Sequence, residues 1–589
     1  MPDTTSRLSR ARKAMQSRGL DFLVVPTGDA HLSEYISERW QARAYLSGFK
    51  GSAGTLIVSN DIAGLWVDGR YHMRADSETA GTPITVFKLG RPGVPEWLDW
   101  LASEAREGHT VGIDPEAVSA ATFLAMRERL EAQGVQVKAF PDLIDEAWPG
   151  RPEAEPAEVI EHPLEYAGES ASSKLERLTS RLRENGATAL LVTGMDEVAW
   201  LLNLRGSDVP LNPVALAYCL VGMEQVKLFA HVGKVSSELT AALPAGVELL
   251  PYDSLANHLA TLPEETVLTL DPDRTNVRLY QAVEHLPLKS STSPIQFMKS
   301  VKNSVELEGA AKAHLYDGVA LTRLLHWLSV TDPTTQTELS VAQKLDEFRA
   351  DLPGYRGRSF DTIVGFGPNS SVGHYKLDPV NPQRLGHDAL LLIDCGAQFP
   401  FGTTDTTRTV VLGKPTPKQK RTYTTVLKSL IMLSTARFPK GTTGQRLDAI
   451  ARYNIWNELW ECRHGIGHGI GSYLHVHEGP QRINKENTVP FEPGMMNSCE
   501  PGVYFEGEFG VRLENVIVTT SAGEAEFGEF YWFETPTLCP FDTHLVEAGM
   551  LDRKEIEWLN SYHRRVRERL APYLNANERE WLNGVTAAI

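Results

Sequence analysis

Apolar residues fall in two rhythms along the chain. Helix-type spacing over residues 6–19, closed by Gly19, precedes an unbroken apolar strand, Asp21-Phe-Leu-Val-Val-Pro26. Further strands follow at Thr55-Leu-Ile-Val and Gly64-Leu-Trp-Val, so the opening segment predicts an α/β unit. A proline-rich stretch, Trp148-Pro-Gly-Arg-Pro-Glu-Ala-Glu-Pro156, reads as a linker. After it the pattern returns: an amphipathic helix over 174–186, then Ala189-Leu-Leu-Val-Thr193-Gly194, echoing Val24-Val-Pro-Thr27-Gly28. Trp200-Leu-Leu-Asn203-Leu-Arg-Gly206 likewise echoes Tyr45-Leu-Ser-Gly48. Two related α/β domains are expected, at 1–150 and 157–300.

From Met298 to about Leu352 the pattern is helical, and residues 418–460 supply two more helical stretches. Between and beyond them lie two strand pairs that carry acids. Ala389-Leu-Leu-Leu-Ile runs into Asp394, and Asp405 opens the strand Thr406–Leu412. The midpoint of Asp394 and Asp405 falls between Phe399 and Pro400, which puts the two carboxylates across a hairpin. The midpoint of Glu500 and Glu514 is Gly507, in the turn Glu506-Gly-Glu508. Two such hairpins imply a pseudo-symmetric antiparallel sheet with a wall of carboxylates. The tail, 526–589, reads as charged amphipathic helices, a solvated appendage or a dimer contact.

At 589 residues the chain needs several cores. A net charge of −17 argues against nucleic acid or an anionic membrane as the main partner. Five cysteines, without a CxxC pair, fit a reducing compartment. With no signal-type apolar region and no run of about 18 apolar residues, a cytoplasmic location is expected. Gly48-Phe-Lys-Gly51-Ser-Ala-Gly54 lacks the spacing of a phosphate loop and reads as turns and packing.

Taken singly, Asp394 reads as a turn former, His464 or His468 as an ordinary histidine, and Glu514 as an edge residue. Together they ask for cations, because opposed carboxylates repel and burying four is prohibitive unless they are neutralised. Four carboxylates and an imidazole suit two divalent ions, Mn²⁺ first, with Co²⁺ or Zn²⁺ as alternatives. Gly465, Gly467, Gly469 and Gly471 let backbone approach such a site closely. Spacing alone leaves open which of His464 and His468 is the ligand.

The set Asp394, Asp405, His468, Glu500 and Glu514 resembles the ligand set of the pita-bread metallopeptidases. The match is closest to the long, three-domain aminopeptidase P subgroup. It rests on Asp394-Cys-Gly-Ala-Gln, Gly402-Thr-Thr-Asp405-Thr-Thr-Arg408-Thr, His464-Gly-Ile-Gly-His468-Gly-Ile-Gly-Ser, Val476-His477-Glu-Gly-Pro480, Glu500-Pro-Gly and Val511-Arg-Leu-Glu514-Asn. Asp29-Ala-His31, Ser47-Gly-Phe-Lys-Gly-Ser-Ala-Gly54, Trp66-Val-Asp-Gly-Arg-Tyr71 and Glu557-Trp-Leu-Asn-Ser-Tyr-His extend it over nearly the whole chain.

The resemblance implies two creatinase-like α/β domains, a pita-bread catalytic domain at 301–525 and a helical extension at 526–589. It implies release of the residue before a proline in second position, by a hydroxide bridging two metals. Asp394 chelates one ion, Asp405 and Glu514 bridge, and His468 and Glu500 complete the second, with Glu500 also shuttling a proton. His374 stabilises the intermediate or carries a proton. His464 and His477 orient the scissile carbonyl and the proline-side residue. Arg512, on the strand face of Glu514, holds the acids. Tyr375, Trp456 and Arg408 are expected at the pocket or behind it. The resemblance also implies a homodimer, and N-terminal domains that restrict entry to small peptides. Prolidase is the alternative, and from another class an inactive pita-bread binding protein; the intact ligand set argues against the metal-free creatinase. Cys395 stands where serine is more usual, and Ser498-Cys499 where Thr-Asp is common. Thiols beside ligands imply sensitivity to oxidation or soft metals.

Overall fold

Strands β1 (Phe22–Pro26), β2 (Thr55–Ser59), β3 (Ala63–Val67), β4 (Thr85–Lys88), β5 (Thr110–Ile113) and β6 (Gln136–Ala139) form one sheet in the order β4-β3-β2-β1-β5-β6. Strands β7 (Ala189–Val192), β8 (Ala217–Gly222), β9 (Val226–Ala230), β10 (Val247–Pro251), β11 (Leu268–Leu270) and β12 (Leu288–Ser290) form a second, ordered β10-β9-β8-β7-β11-β12. Corresponding neighbours run in the same sense: the three strands at the centre are antiparallel, and the outer pairings are parallel. The repeat seen in the sequence is therefore a repeat of topology. This computed structural model describes residues 3–589. It divides into a unit of residues up to His162 with Glu169–Ile295, and a unit of Pro163–Gly168 with Gln296–Ile589.

The first echo ends a strand in each domain, Phe22–Pro26 and Ala189–Val192, and the second ends a helix. The helix Ala42–Ser47 stops at Gly48 (φ 82°), and Met195–Leu201 is followed by Asn203 (φ 53°), both left-handed. The glycines of 48–54 serve packing: a Cβ on Gly51 would lie 2.2 Å from the Phe49 ring. Residues 151–158 carry neither helix nor strand.

The two N-terminal sheets join through matching turns. Ser119 caps the helix Ala120–Glu131, Asn276 caps Val277–Val283, and the two caps form an antiparallel bridge. The hydrogen bonds are reciprocal: Ala120 N donates to Thr275 O (2.8 Å) and Val277 N to Val118 O (3.0 Å), while Ala121 N reaches Pro272 O and Arg278 N reaches Pro115 O. The same surface is used twice, as across a two-fold axis. The turns responsible carry the same dipeptide, Asp114-Pro115 in one domain and Asp271-Pro272 in the other.

In the second unit, the helical stretch expected from 298 to 352 is three helices: Pro294–Ser300, Ser304–Val330 and Glu338–Ala350. Capping boxes explain the breaks. Asn303 with Glu306, and Thr337 with Ser340, satisfy first-turn N–H groups that would otherwise be buried and unpaired.

Strands β13 (Ile363–Phe366), β14 (Ala389–Cys395) and β17 (Thr406–Leu412) form one sheet, while β15 (Ala397–Phe399) and β16 (Gly402–Thr403) close the hairpin. A six-stranded sheet contains β18 (Phe438–Pro439), β19 (Gly467–Gly469), β20 (Glu478–Ile483), β21 (Met496–Cys499), β24 (Asn515–Ala525) and β25 (Gly528–Glu534). The pair β22 (Gly502–Phe505) and β23 (Phe509–Arg512) is the second acid-bearing hairpin.

The tail is no solvated appendage. Helices Arg553–Leu570 and Ala576–Val585 turn Leu559, Tyr562, Val566, Leu570 and Leu582 into the same core as Val511, Leu513 and Ile517. Leu559, Tyr562, Val566 and Leu570, three or four positions apart, form its inner face.

Candidate metal centre

The second hairpin closes as its midpoint predicts. Gly502 pairs with Arg512 and Phe505 with Phe509, which centres the turn on Gly507 (φ 76°) and extrapolates to Glu500 opposite Glu514. The first hairpin is displaced by one position. Phe399 pairs with Gly402, and Asp394 pairs with Thr407, not with Asp405. Pro400-Phe401 forms the turn, and Asp405 sits between β16 and β17, diagonal to Asp394. Thr407 is drawn into the site instead: its hydroxyl donates to Glu514 Oε2 at 2.8 Å.

Ligand-type atoms of Asp405, His468 and Glu514 lie within 4.8 Å of one another. Asp405 and Glu514 are buried, at 3% and 2% exposure. Burial pushes the Asp405 carboxyl up to about 8, with the nearby Asp394 charge adding to the effect. Glu514 is raised well above its ordinary value by burial and then by Asp405, Glu500 and Asp394. These acids resist ionising together, which is the state a cation would relieve. Asp394 sharpens the point. Its Oδ2 accepts from Arg512 Nη2 at 2.6 Å, while Oδ1 is buried and has no hydrogen-bond partner. Oxygen donors with one imidazole fit a divalent metal.

The two candidate histidines differ in what their Nε2 atoms face. His468 Nδ1 lies 2.9 Å from Gly469 O and His464 Nδ1 lies 2.7 Å from Gly465 O. A carbonyl only accepts, so a neutral ring at either position carries its proton on Nδ1 and its lone pair on Nε2. At His464 burial opposes a second proton, but Cys462 and then Tyr504 outweigh it and raise the ring well above its ordinary pKa. His468 Nε2 points at Asp405 (3.4 Å) and Glu500 (3.6 Å). His464 Nε2 is taken by the Tyr504 hydroxyl at 2.8 Å, with Cys462 Sγ at 3.5 Å. Glycines make the approach possible: a Cβ on Gly467 would lie 2.0 Å from Ser498 O.

The other predicted residues divide into those near the cluster and those away from it. His477 packs its ring against His468, centroids 4.4 Å apart and nearly perpendicular. Glu500 accepts from Ser498 Oγ (3.3 Å) and lies 3.9 Å from His464 Nδ1. His374 is half-buried, and Arg512 reaches the carbonyl of its neighbour Gly373 at 3.4 Å. Tyr375 turns the other way and donates to Glu338 Oε2 at 2.7 Å. Arg408 lies behind the ligand strand. Its guanidinium holds the carbonyls of Glu514, Thr407 and Cys539 and the Tyr562 hydroxyl. Trp456 is not brought to the cluster: it is 43% exposed, and its indole donates to Glu461. Helix Gly444–Asn457 buries Ala451 and Ile455 instead, which turns Trp456 outward.

Tyr504 was missed. It accepts from Arg512 Nη1 at 2.7 Å and reaches His464, so it links the two. Alternation along β22 was the available signal: 500, 502 and 504 share a face, and a Cβ on Gly502 would lie 2.6 Å from the Tyr504 oxygen. Cys395 and Cys499, beside ligands in sequence, point into apolar clusters and are 0% exposed. Strand alternation sends them away from the site, and burial raises both thiols, which disfavours the thiolate that the expected oxidation needs. Cys462 is the thiol that touches a candidate histidine.

Acids that cannot ionise together without a cation, held against an imidazole, define a metal-binding protein. Comparison with known proteins is consistent with that class. The model of metallopeptidase family M24 matches residues 308–521, and that of its C-terminal region matches 529–589. Two creatinase/prolidase N-terminal domain models match 7–147 and 150–306. The chain is 38% identical to a probable Xaa-Pro aminopeptidase P of Coccidioides posadasii, over all of both chains. It is 38% identical to Aminopeptidase P2 of Arabidopsis thaliana, covering 96% of this chain and 85% of that one. The crystal structure of X-prolyl aminopeptidase from Caenorhabditis elegans, described as a cytosolic enzyme with a di-nuclear active site, superposes with a TM-score of 0.96. It shares 31% identity over the whole of both chains. The chain belongs to the M24 metallopeptidases, with the pita-bread catalytic domain and creatinase-type N-terminal domains of the Xaa-Pro aminopeptidase P group. Among the described residues no helix is long and apolar enough to cross a membrane.

Proposed function

We propose that this protein is a metal-dependent Xaa-Pro aminopeptidase, which releases the N-terminal residue from peptides with proline second. The carrying observation is the convergence of Asp405, His468 and Glu514 in a chain that matches Xaa-Pro aminopeptidase P relatives from end to end. The full-length match favours this reading over prolidase. An Xaa-Pro dipeptidase from Bacillus anthracis covers only 63% of this chain, at 24% identity and TM-score 0.52, and shares the fold alone.

Asp394, Asp405, His468, Glu500 and Glu514 would hold two divalent ions, with Asp405 and Glu514 shared between them. Mn²⁺ is our first choice, with Co²⁺ or Zn²⁺ as alternatives. When bound, the ions supply a water of lowered pKa and positive charge where the carbonyl oxygen becomes negative. The chain's own residues do the rest. Glu500 takes a proton from the attacking water and returns it to the leaving nitrogen. That nitrogen belongs to the tertiary amide before proline and has no N–H; like any amide nitrogen, it leaves once protonated. His477 and His464 orient the carbonyl and the proline-side residue, and His374 stabilises the developing charge. Arg512 and Tyr504 fix Asp394 and His464 in relation to each other. A cytosolic homodimer completes the proposal.

The test is a panel of Xaa-Pro and Xaa-Pro-Pro peptides, assayed after chelation and readdition of single metals. Cleavage of the longer peptides, restored by metal, is the expected result. Turnover of the dipeptide alone would make the protein a prolidase. No turnover with metal bound would leave the binding-protein reading.

A further inference from the structure

The residue after His477 is held by two buried lysines. Glu478 opens β20, and its side chain is 1% exposed. Lys299 Nζ donates to its Oε2 at 2.5 Å, and Lys302 Nζ pairs with its Oε1. Both lysine side chains are 1% exposed. Lys302 Nζ also donates to Lys299 O at 2.9 Å, and Lys302 N donates to Gly494 O at 3.1 Å. Val301, between them, bridges Met495. Sealing charges from water is costly, and such a knot is weak evidence for stability. Its position gives it another use. Glu478 pairs with Gly469, whose carbonyl fixes the His468 ring, and the preceding His477 ring packs on His468. Adjacent strand residues face opposite ways, so the knot grips the strand from behind the imidazoles.

We propose that Lys299 and Lys302 are positioning residues for His477: through Glu478 they set the angle and register at which its ring meets the substrate. The inference rests on the reading of His477 as a substrate-facing group. It also gives the segment by which the chain enters the catalytic unit, 296–302, a direct hold on the site.

The test is a double-mutant cycle between Lys302→Met and His477→Ala, read as kcat and KM on an Xaa-Pro-Pro peptide, with metal content and Tm measured in parallel. Lys302→Met leaves the Lys299–Glu478 pair in place. We expect kcat to fall about tenfold with metal retained, and under about twofold when His477 is already alanine. Equal losses in both backgrounds would overturn the proposal, as would an unchanged kcat or loss of metal. If His477→Ala leaves kcat intact, the reading of His477 fails and the proposal with it. If only His477→Ala is harmful, positioning alone fails. Should Lys302→Met not fold, Lys299→Met enters the same cycle; failure of both would make the knot a folding element and end the proposal.

Discussion

Arg512 Nη2 and Asp394 Oδ2 meet at 2.6 Å across the two acid-bearing hairpins, while Asp394 Oδ1 stays buried and unpaired. One guanidinium thus occupies half of a carboxylate and turns the other half into the site. Arg512→Met removes that constraint and leaves the acids less compensated. Groups that orient a ligand are worth about 10–100-fold in metal affinity or activity. A loss of that order is expected, with the metal content of dialysed protein as the readout. Full retention of metal and rate would count against the arrangement.

Asp405 sets a pH dependence for metal uptake. Its carboxyl is raised to about 8 by burial and then by Asp394. Below that pH the metal-free protein keeps a proton that an incoming cation must displace. Apparent affinity should rise with pH up to about 8 and then level, and calorimetry in two buffers of different ionisation heat should detect proton release at pH 7. For the metal-free fold the sign is opposite to that of a salt-bridged acid. The folded pKa lies above the ordinary value of 3.8, so the native state binds more protons. This group's contribution is therefore lost as pH rises from about 4 to about 8.

His464 and His468 should separate by phenotype. His468→Ala deletes the Nε2 that faces Asp405 and Glu500, and metal binding should fall with activity. His464→Ala deletes a ring tied to Tyr504, and metal should remain while kcat/KM falls. Metal analysis alongside kinetics distinguishes the two, and the reverse pattern would exchange their assignments.

The tail should be required for catalytic-unit stability. Leu559 is fully buried in the core that contains Val511 and Leu513. Leu559→Ala should cost about 2–5 kcal/mol in denaturant unfolding. A loss under about 0.5 kcal/mol, usual for surface sites, would restore the appendage reading.

Much of this was legible in the chain itself. The doubled α/β topology showed in echoed strand ends, because the same turns must end the same helices. The second hairpin's centre followed from simple arithmetic on Glu500 and Glu514, since its turn is symmetric about Gly507. The first hairpin escaped the same arithmetic. Both strand pairs keep one register centred between Pro400 and Phe401, so Asp405 lies diagonal to Asp394 and the midpoint of the two acids is not the midpoint of the turn. Trp456 stands away from the cluster, and Tyr504 was missed, for one reason. Motif proximity says which residues are close in sequence, whereas helix phase and strand alternation decide which side chains face the cluster. Between His464 and His468 spacing left the choice open; the family resemblance favoured His468, and the different surroundings of the two Nε2 atoms support it.

The paired turns at Ser119 and Asn276 make the N-terminal domains resemble a homodimer tied by a linker. An ordinary homodimer of that kind comes apart on dilution. Here the chain keeps the second half at a fixed, high local concentration, so dilution cannot separate them. Each copy is also encoded on its own. A change at Ser119 alters one side of the contact and leaves its counterpart at Asn276 as it was, a freedom that true homodimers never have.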